Sequence, residues 1–123
     1  MRAFVVDDDA DFREIVRELL EGAGFDVHIA DDGLAALAGI RHVIPDLIVL
    51  DLRMPNLGGA DVLKLLRSTD VGRQIPVVVT TGGTVDDTVR ALATAVLVKP
   101  FSMQDLLRVT ADVTAGASSR SAS

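Results

Sequence analysis

The stretch DLIVLDLRMPNLGG, Asp46 to Gly59, decides the architecture. Its first half, DLIVLD, is almost wholly apolar between two aspartates. A strand that shows one face to water alternates apolar and polar residues, so an unbroken Leu-Ile-Val-Leu run belongs to a strand covered on both faces. Its second half, RMPNLGG, carries the Pro, Asn and Gly of a loop. The stretch therefore reads as a buried strand that ends abruptly on Asp51 and opens into a loop.

The pattern recurs outward in both directions. AFVV (3–6), FDVHIA (25–30), IPVVVTT (75–81) and AVLV (95–98) are further short apolar runs. Amphipathic segments separate them. In DADFREIVRELLEGAG, the residues Phe12, Ile15, Val16, Leu19 and Leu20 fall at offsets 0, 3, 4, 7 and 8, which is one helical face, and Gly22 and Gly24 stop it. LAALAGIRHV (34–43), ADVLKLLRS (60–68), VDDTVRALAT (85–94) and SMQDLLRVTADV (102–113) are the other expected helices, the last with Ser102 as N-cap and Asp105 three residues on. Five strand–helix units in alternation imply an α/β fold, a five-stranded parallel sheet with helices on both faces. Right-handed crossovers bring the C-terminal ends of all strands to one edge. The closing TAGASSRSAS is small, polar and aperiodic, so residues 1–114 are expected to form one domain and 115–123 a flexible tail or the start of a linker.

Composition narrows the function. The 123 residues suffice for one core, which must be aliphatic because Trp and Tyr are absent. No run approaches the length of a membrane span, and the N-terminus lacks the pattern of a signal peptide, so a cytoplasmic protein is expected. The absence of Cys excludes disulfides and thiolate metal sites. A net charge of −6 with scattered cations argues against direct nucleic-acid binding. Any metal site must draw mainly on carboxylates, which favours a hard cation such as Mg2+.

In open parallel sheets ligands bind beyond the carboxyl ends of the strands. Asp7 and Asp8 follow the first strand, Asp51 ends the third, Thr80 and Thr81 end the fourth, and Lys99 follows the fifth. With the strand order 2-1-3-4-5 these tips converge. Crowded carboxylates repel one another, and a divalent cation and an ammonium relieve the repulsion. Asp9 and Asp11, by contrast, read as caps or first-turn acids of the first helix. His28 reads as a packed or edge histidine, and His42 as a cation at a helix end.

The ordered set VVDDD, DLIVLDLRMPNLGG, PVVVTTGG and VLVKPF resembles the receiver domain of bacterial two-component response regulators, of the chemotaxis-regulator type, from about residue 2 to residue 114. The resemblance implies a flavodoxin-like (βα)5 fold with strand order 2-1-3-4-5. It implies that Asp51 accepts a phosphoryl group from a histidine kinase or a histidine phosphotransfer protein. It makes Asp8 a direct Mg2+ ligand, Asp7 a ligand through water, Asp51 a third carboxylate and the backbone carbonyl of Arg53 a further ligand. Thr81, five past Pro76, takes the hydroxyl position. Lys99 pairs with phosphoryl oxygens, ahead of a peptide bond to Pro100 that is typically cis. The output partner is left open, with a monomer or weak dimer expected. The chain is then a signalling switch and not a turnover enzyme.

Two readings compete with the phosphoacceptor. One is a pseudo-receiver, an interaction module that works without phosphorylation. The other is a Mg2+-dependent phosphohydrolase, disfavoured because Arg53 stands where a second acid is needed. The sequence also departs from the family pattern in two places. Val96 occupies the position, three before the lysine, where an aromatic is usual, and the segment 81–99 is several residues short. The helix in that segment should therefore be trimmed or displaced.

Overall fold

The computed structural model describes residues 1–122, with side chains described through Ala115. The elements in chain order are β1 (Arg2–Val6), α1 (Ala10–Gly22), β2 (Asp26–Ala30), α2 (Gly33–His42), β3 (Leu47–Asp51), α3 (Gly59–Arg67), α4 (Asp70–Arg73), β4 (Val77–Thr81), α5 (Asp87–Leu92), β5 (Ala95–Val98) and α6 (Met103–Ala122). The five strands form one parallel sheet in the order β2-β1-β3-β4-β5. This is the expected order, and it places β1 and β3 side by side at the centre.

Alternation along each strand sorts the core into two layers. Ala3 and Val5 of β1, Leu47 and Val49 of β3 and Val78 of β4 meet Val16 and Leu20 of α1 and Leu106 of α6. Phe4 and Val6, Ile48 and Leu50, and Val77 and Val79 point the other way, onto Ala36 and Ile40 of α2, Val62, Leu63 and Leu66 of α3, and Val89 of α5. All five residues of β3 are buried, which is why its sequence shows no polar face.

Local capping explains where the helices begin. The Asp9 side chain accepts from the backbone N–H groups of Asp11 and Phe12 and starts α1. Asp32 does the same for α2 by accepting from the Ala35 amide at 2.8 Å. Its second oxygen accepts from Asn56 Nδ2 at 2.7 Å, which ties the loop after β3 to the start of α2. Asn56 itself has φ 68°, a left-handed conformation that Asn tolerates. At Gly59, a Cβ would come within 2.2 Å of the Asp51 carbonyl oxygen, so only glycine lets α3 approach the end of β3.

Three features differ from the sequence reading. The short helix α4, capped by Thr69, lies in a segment read as connection, because four residues carry no periodicity. The helix expected over 85–94 is reduced to α5, six residues capped by Asp86, with Ala93 already extended. The shortened 81–99 segment is thus accommodated by trimming this helix. Finally, the backbone of α6 continues to Ala122, where an aperiodic tail was expected from Ala115 onward. The Ala- and Ser-rich composition without Pro lets the helix continue past Thr114, a buried residue on α6.

The C-terminal end of α5 is held by one side chain. Arg67, at the end of α3, donates from Nε to the Leu92 carbonyl at 2.8 Å and from Nη1 to the carbonyls of Gly72 at 2.5 Å and Ile75 at 2.8 Å. Desolvation pulls its pKa down from the ordinary guanidinium range. One half-buried cation thereby joins α3, α4, α5 and the approach to β4.

Candidate functional site

Strand geometry delivers the acidic residues to one place. β1 and β3 are neighbours, with Val6 level with Leu50, so Asp7 and Asp51 emerge side by side at the C-terminal edge. The Asp7 amide still donates to the Ala30 carbonyl at 3.1 Å, which carries the β1–β2 ladder one residue past the strand. Asp7 is 2% exposed and Asp51 6% exposed, whereas Asp8 is exposed. Carboxylate oxygens of the three lie within 4.8 Å of one another.

Lys99 completes the cluster from the far side. Its amide donates to the Thr81 carbonyl at 2.7 Å, continuing the β4–β5 ladder, and the Lys99–Pro100 peptide bond is cis. Nζ lies 3.7 Å from Asp7 Oδ2 and 3.9 Å from Asp51 Oδ1. The ammonium also sits 4.7 Å from the ring centroid of Phe12, a cation–π contact. Phe12 in turn meets Phe101 edge-on, at 6.0 Å between centroids.

The electrostatics follow from burial. Desolvation raises the pKa of Asp7. The Asp9 amide at Asp7 Oδ1 and the charge of Lys99 oppose the rise, while Asp8 and Asp9 add to it. Asp51 is also raised, first by burial and then by the charge of Asp7, against the pull of Lys99 and the backbone N–H of Arg53. Asp7 Oδ2 is buried and accepts no hydrogen bond among the described residues. A buried carboxylate oxygen with only an ammonium 3.7 Å away is an incomplete coordination environment. Three hard oxygen donors around one point, one of them without a partner, fit a Mg2+ ion, and the neighbouring lysine fits an anion beside it.

The other expected site residues are placed as follows. Arg53 is exposed, and its guanidinium lies over Gly83, where an added Cβ would be 3.6 Å from Nη2. Its backbone lies against Asp51 through the N–H contact. Thr81 is buried at the end of β4, and its Oγ1 accepts from the Gly83 amide at 3.1 Å. By alternation it shares a sheet face with Val79, opposite to Asp51. His28 stacks on Phe4 with centroids 5.3 Å apart, away from the acidic cluster, as a packed histidine should.

Two contributors escaped the sequence reading. Phe12 reads only as a core position of α1, yet it underlies the ammonium. Arg13 carries no motif, yet its Nη1 donates to the Asp7 carbonyl at 2.8 Å and braces the loop that presents the acids.

The family model of the response regulator receiver domain matches residues 3–111. The chain belongs to that family. Among sequence relatives of this receiver domain, the DNA-binding response regulator MtrA of Mycolicibacterium paratuberculosis is 39% identical over 112 residues, covering 86% of the chain and 48% of the relative. The response regulator MprA of Mycobacterium avium is 42% identical over 111 residues, covering 87% and 48%. The receiver domain thus spans about half the length of these relatives. Among solved structures, the chemotaxis response regulator CheY4 of Vibrio cholerae superposes with a TM-score of 0.85 at 32% identity, covering 91% of this chain and 97% of that one. The five-stranded order and the two helical layers are those of a CheY-like receiver domain.

Proposed function

We propose that this receiver domain accepts a phosphoryl group on Asp51 from a histidine kinase or a histidine phosphotransfer protein. The observation that carries the reading is Asp51 itself. It is a buried carboxylate at a strand end, with the Lys99 ammonium at 3.9 Å and two further acids within the same 4.8 Å cluster.

The residues divide the work. A carboxylate oxygen of Asp51 attacks phosphorus as the bond to the donor's imidazole nitrogen breaks, and that nitrogen keeps the electron pair. Lys99 supplies a fixed positive charge to phosphoryl oxygens, and its contact with Phe12 holds the ammonium at the cluster. Thr81, the last residue of β4, stands at the C-terminal edge of the sheet, and its hydroxyl proton, free because Oγ1 only accepts from the Gly83 amide, would be donated to a phosphoryl oxygen projecting beyond that edge. Asp7, Asp8, Asp51 and the Arg53 carbonyl would hold Mg2+. When bound, Mg2+ neutralises the crowded carboxylates and the charge on the incoming oxygens. The product is an acyl phosphate, which water hydrolyses, so the domain works as a timed switch and not as a turnover enzyme.

The chain has a net charge of −6 and, among the described residues, no helix long and apolar enough to cross a membrane. The negative charge fits a module whose direct partners are proteins and not nucleic acid. The domain ends at residue 114 in this reading.

Incubation with Mg2+ and acetyl phosphate, followed by intact-mass measurement, tests the proposal. One phosphoryl increment on the wild type, absent in Asp51→Asn and in chelator, is expected. An unmodified wild type, or an increment that survives Asp51→Asn, overturns it.

A further inference from the structure

Thr80 adjoins Asp51 in the sheet and has no role in the reading above. It is 0% exposed, and its Oγ1 has no hydrogen-bond partner among the described residues. A buried hydroxyl without a partner costs stability, and valine would fill the same space without that cost. Three valines precede it on β4.

Its position explains what the hydroxyl can reach. In the sheet register Thr80 lies directly beside Asp51 on β3 and Leu97 on β5. Register partners in a parallel sheet project to the same face, about 5 Å apart. Alternation puts Thr80 on the face of Val78, together with the Asp51 that follows Leu47 and Val49 on its strand. Lys99 leaves the end of β5, yet its ammonium lies 3.9 Å from Asp51 two strands away, so its side chain crosses above β4. Thr80 therefore sits beneath that crossing and next to the acceptor. Thr81, one residue on, belongs to the opposite face.

We infer that Thr80 is a positioning residue for Asp51: its hydroxyl donates to the Asp51 side-chain oxygen that faces it across β3 and β4, and fixes the orientation of that group when the site is loaded. The hydroxyl has no partner among the described residues, so its proton is free to be donated. The inference rests on the reading of Asp51 as the phosphoacceptor.

The test uses the full chain with Thr80→Val and Thr80→Ser. Each protein is titrated with beryllofluoride at saturating Mg2+ and followed by fluorine NMR, and each is melted in chelator without the mimic. Valine should raise the melting temperature in chelator, since the unpaired hydroxyl is gone. It should also weaken beryllofluoride binding about three- to tenfold, the worth of one hydrogen bond. Serine should bind within about twofold of the wild type. A merely structural threonine would shift melting alone. Valine binding as tightly as the wild type, or serine as weak as valine, overturns the inference while leaving the Asp51 reading intact. A wild type that neither binds beryllofluoride nor is modified by acetyl phosphate overturns both.

Discussion

Asp51→Asn should make the metal-free protein more stable while removing most of its response to Mg2+. The substitution deletes one of two buried negative charges whose oxygens lie within 4.8 Å. At that separation and an effective dielectric of about 20, their repulsion is about 3.5 kcal/mol. The variant also gives up the ion pair with Lys99 at 3.9 Å. That side chain is 33% exposed, so an attraction of about 4 kcal/mol on the same scale is halved for solvent screening to about 2. Relief of desolvation adds about 1 to 2 kcal/mol, and an imperfectly paired amide returns about 1. The net gain is about 2 kcal/mol, which for a domain of this size raises Tm by about 6 to 10 °C. The assay is thermal unfolding by circular dichroism, in chelator and in excess Mg2+. In the wild type an ion at a hundred times its dissociation constant stabilises by about 2.7 kcal/mol, and the variant should lose most of that increment. If Asp51→Asn melts below the wild type in chelator, or gains as much from Mg2+, the electrostatic reasoning is refuted.

The four clustered aspartates should separate in the same melts: Asp8→Ala removes most of the Mg2+ increment, whereas Asp9→Ala lowers Tm by about 3 to 6 °C through the lost α1 cap and keeps the increment. Acidity provides a third check. Burial raises Asp7 and Asp51 in the fold, so the stability linked to their protonation is present below the ordinary carboxylate value of about 4 and is lost as pH rises through the raised values. In chelator these two groups should therefore lower stability between acid and neutral pH, Asp51→Asn should flatten that slope, and the Mg2+ increment should shrink on acidification because protons compete for the same oxygens. Arg67→Met should cost about 3 kcal/mol in urea unfolding, since it strands the carbonyls of Leu92, Gly72 and Ile75. It should also speed amide exchange at Ala93, whose N–H bonds to Val89 at the end of α5.

The fold was legible because period and burial agree in this chain. The unbroken apolar run of β3 announced a strand covered on both sides, and the 3-4-7-8 spacing of α1 announced its buried stripe. The acids were legible because strand ends in a parallel sheet share an edge, so position along the chain nearly determines position in space. What stayed hidden depends on register and on single side chains. Thr80 and Thr81 look alike in sequence, and only the pairing of Thr80 with Asp51 tells which face each occupies. Phe12 satisfies the core pattern of α1, so its contact with Lys99 carries no separate signal. The staple at Arg67 joins four elements through backbone carbonyls, which leave no trace in residue identity. The continuation of α6 was missed because Ala and Ser suit a helix and a linker equally well.

The cluster of Asp7, Asp8, Asp51 and Lys99 is drawn from the residues just after β1, the end of β3 and the residue after β5. The three carboxylates come from the ends of β1 and β3, which are joined by a long crossover, so the ion site does not exist until those two strands pair. Partly folded forms in which β1 and β3 are unpaired have no ion site. Binding there should protect amides against every opening that parts β1 from β3, while fraying segments gain none. The site thus depends on long-range closure: a chain in which β1 and β3 have not met has no place for the ion.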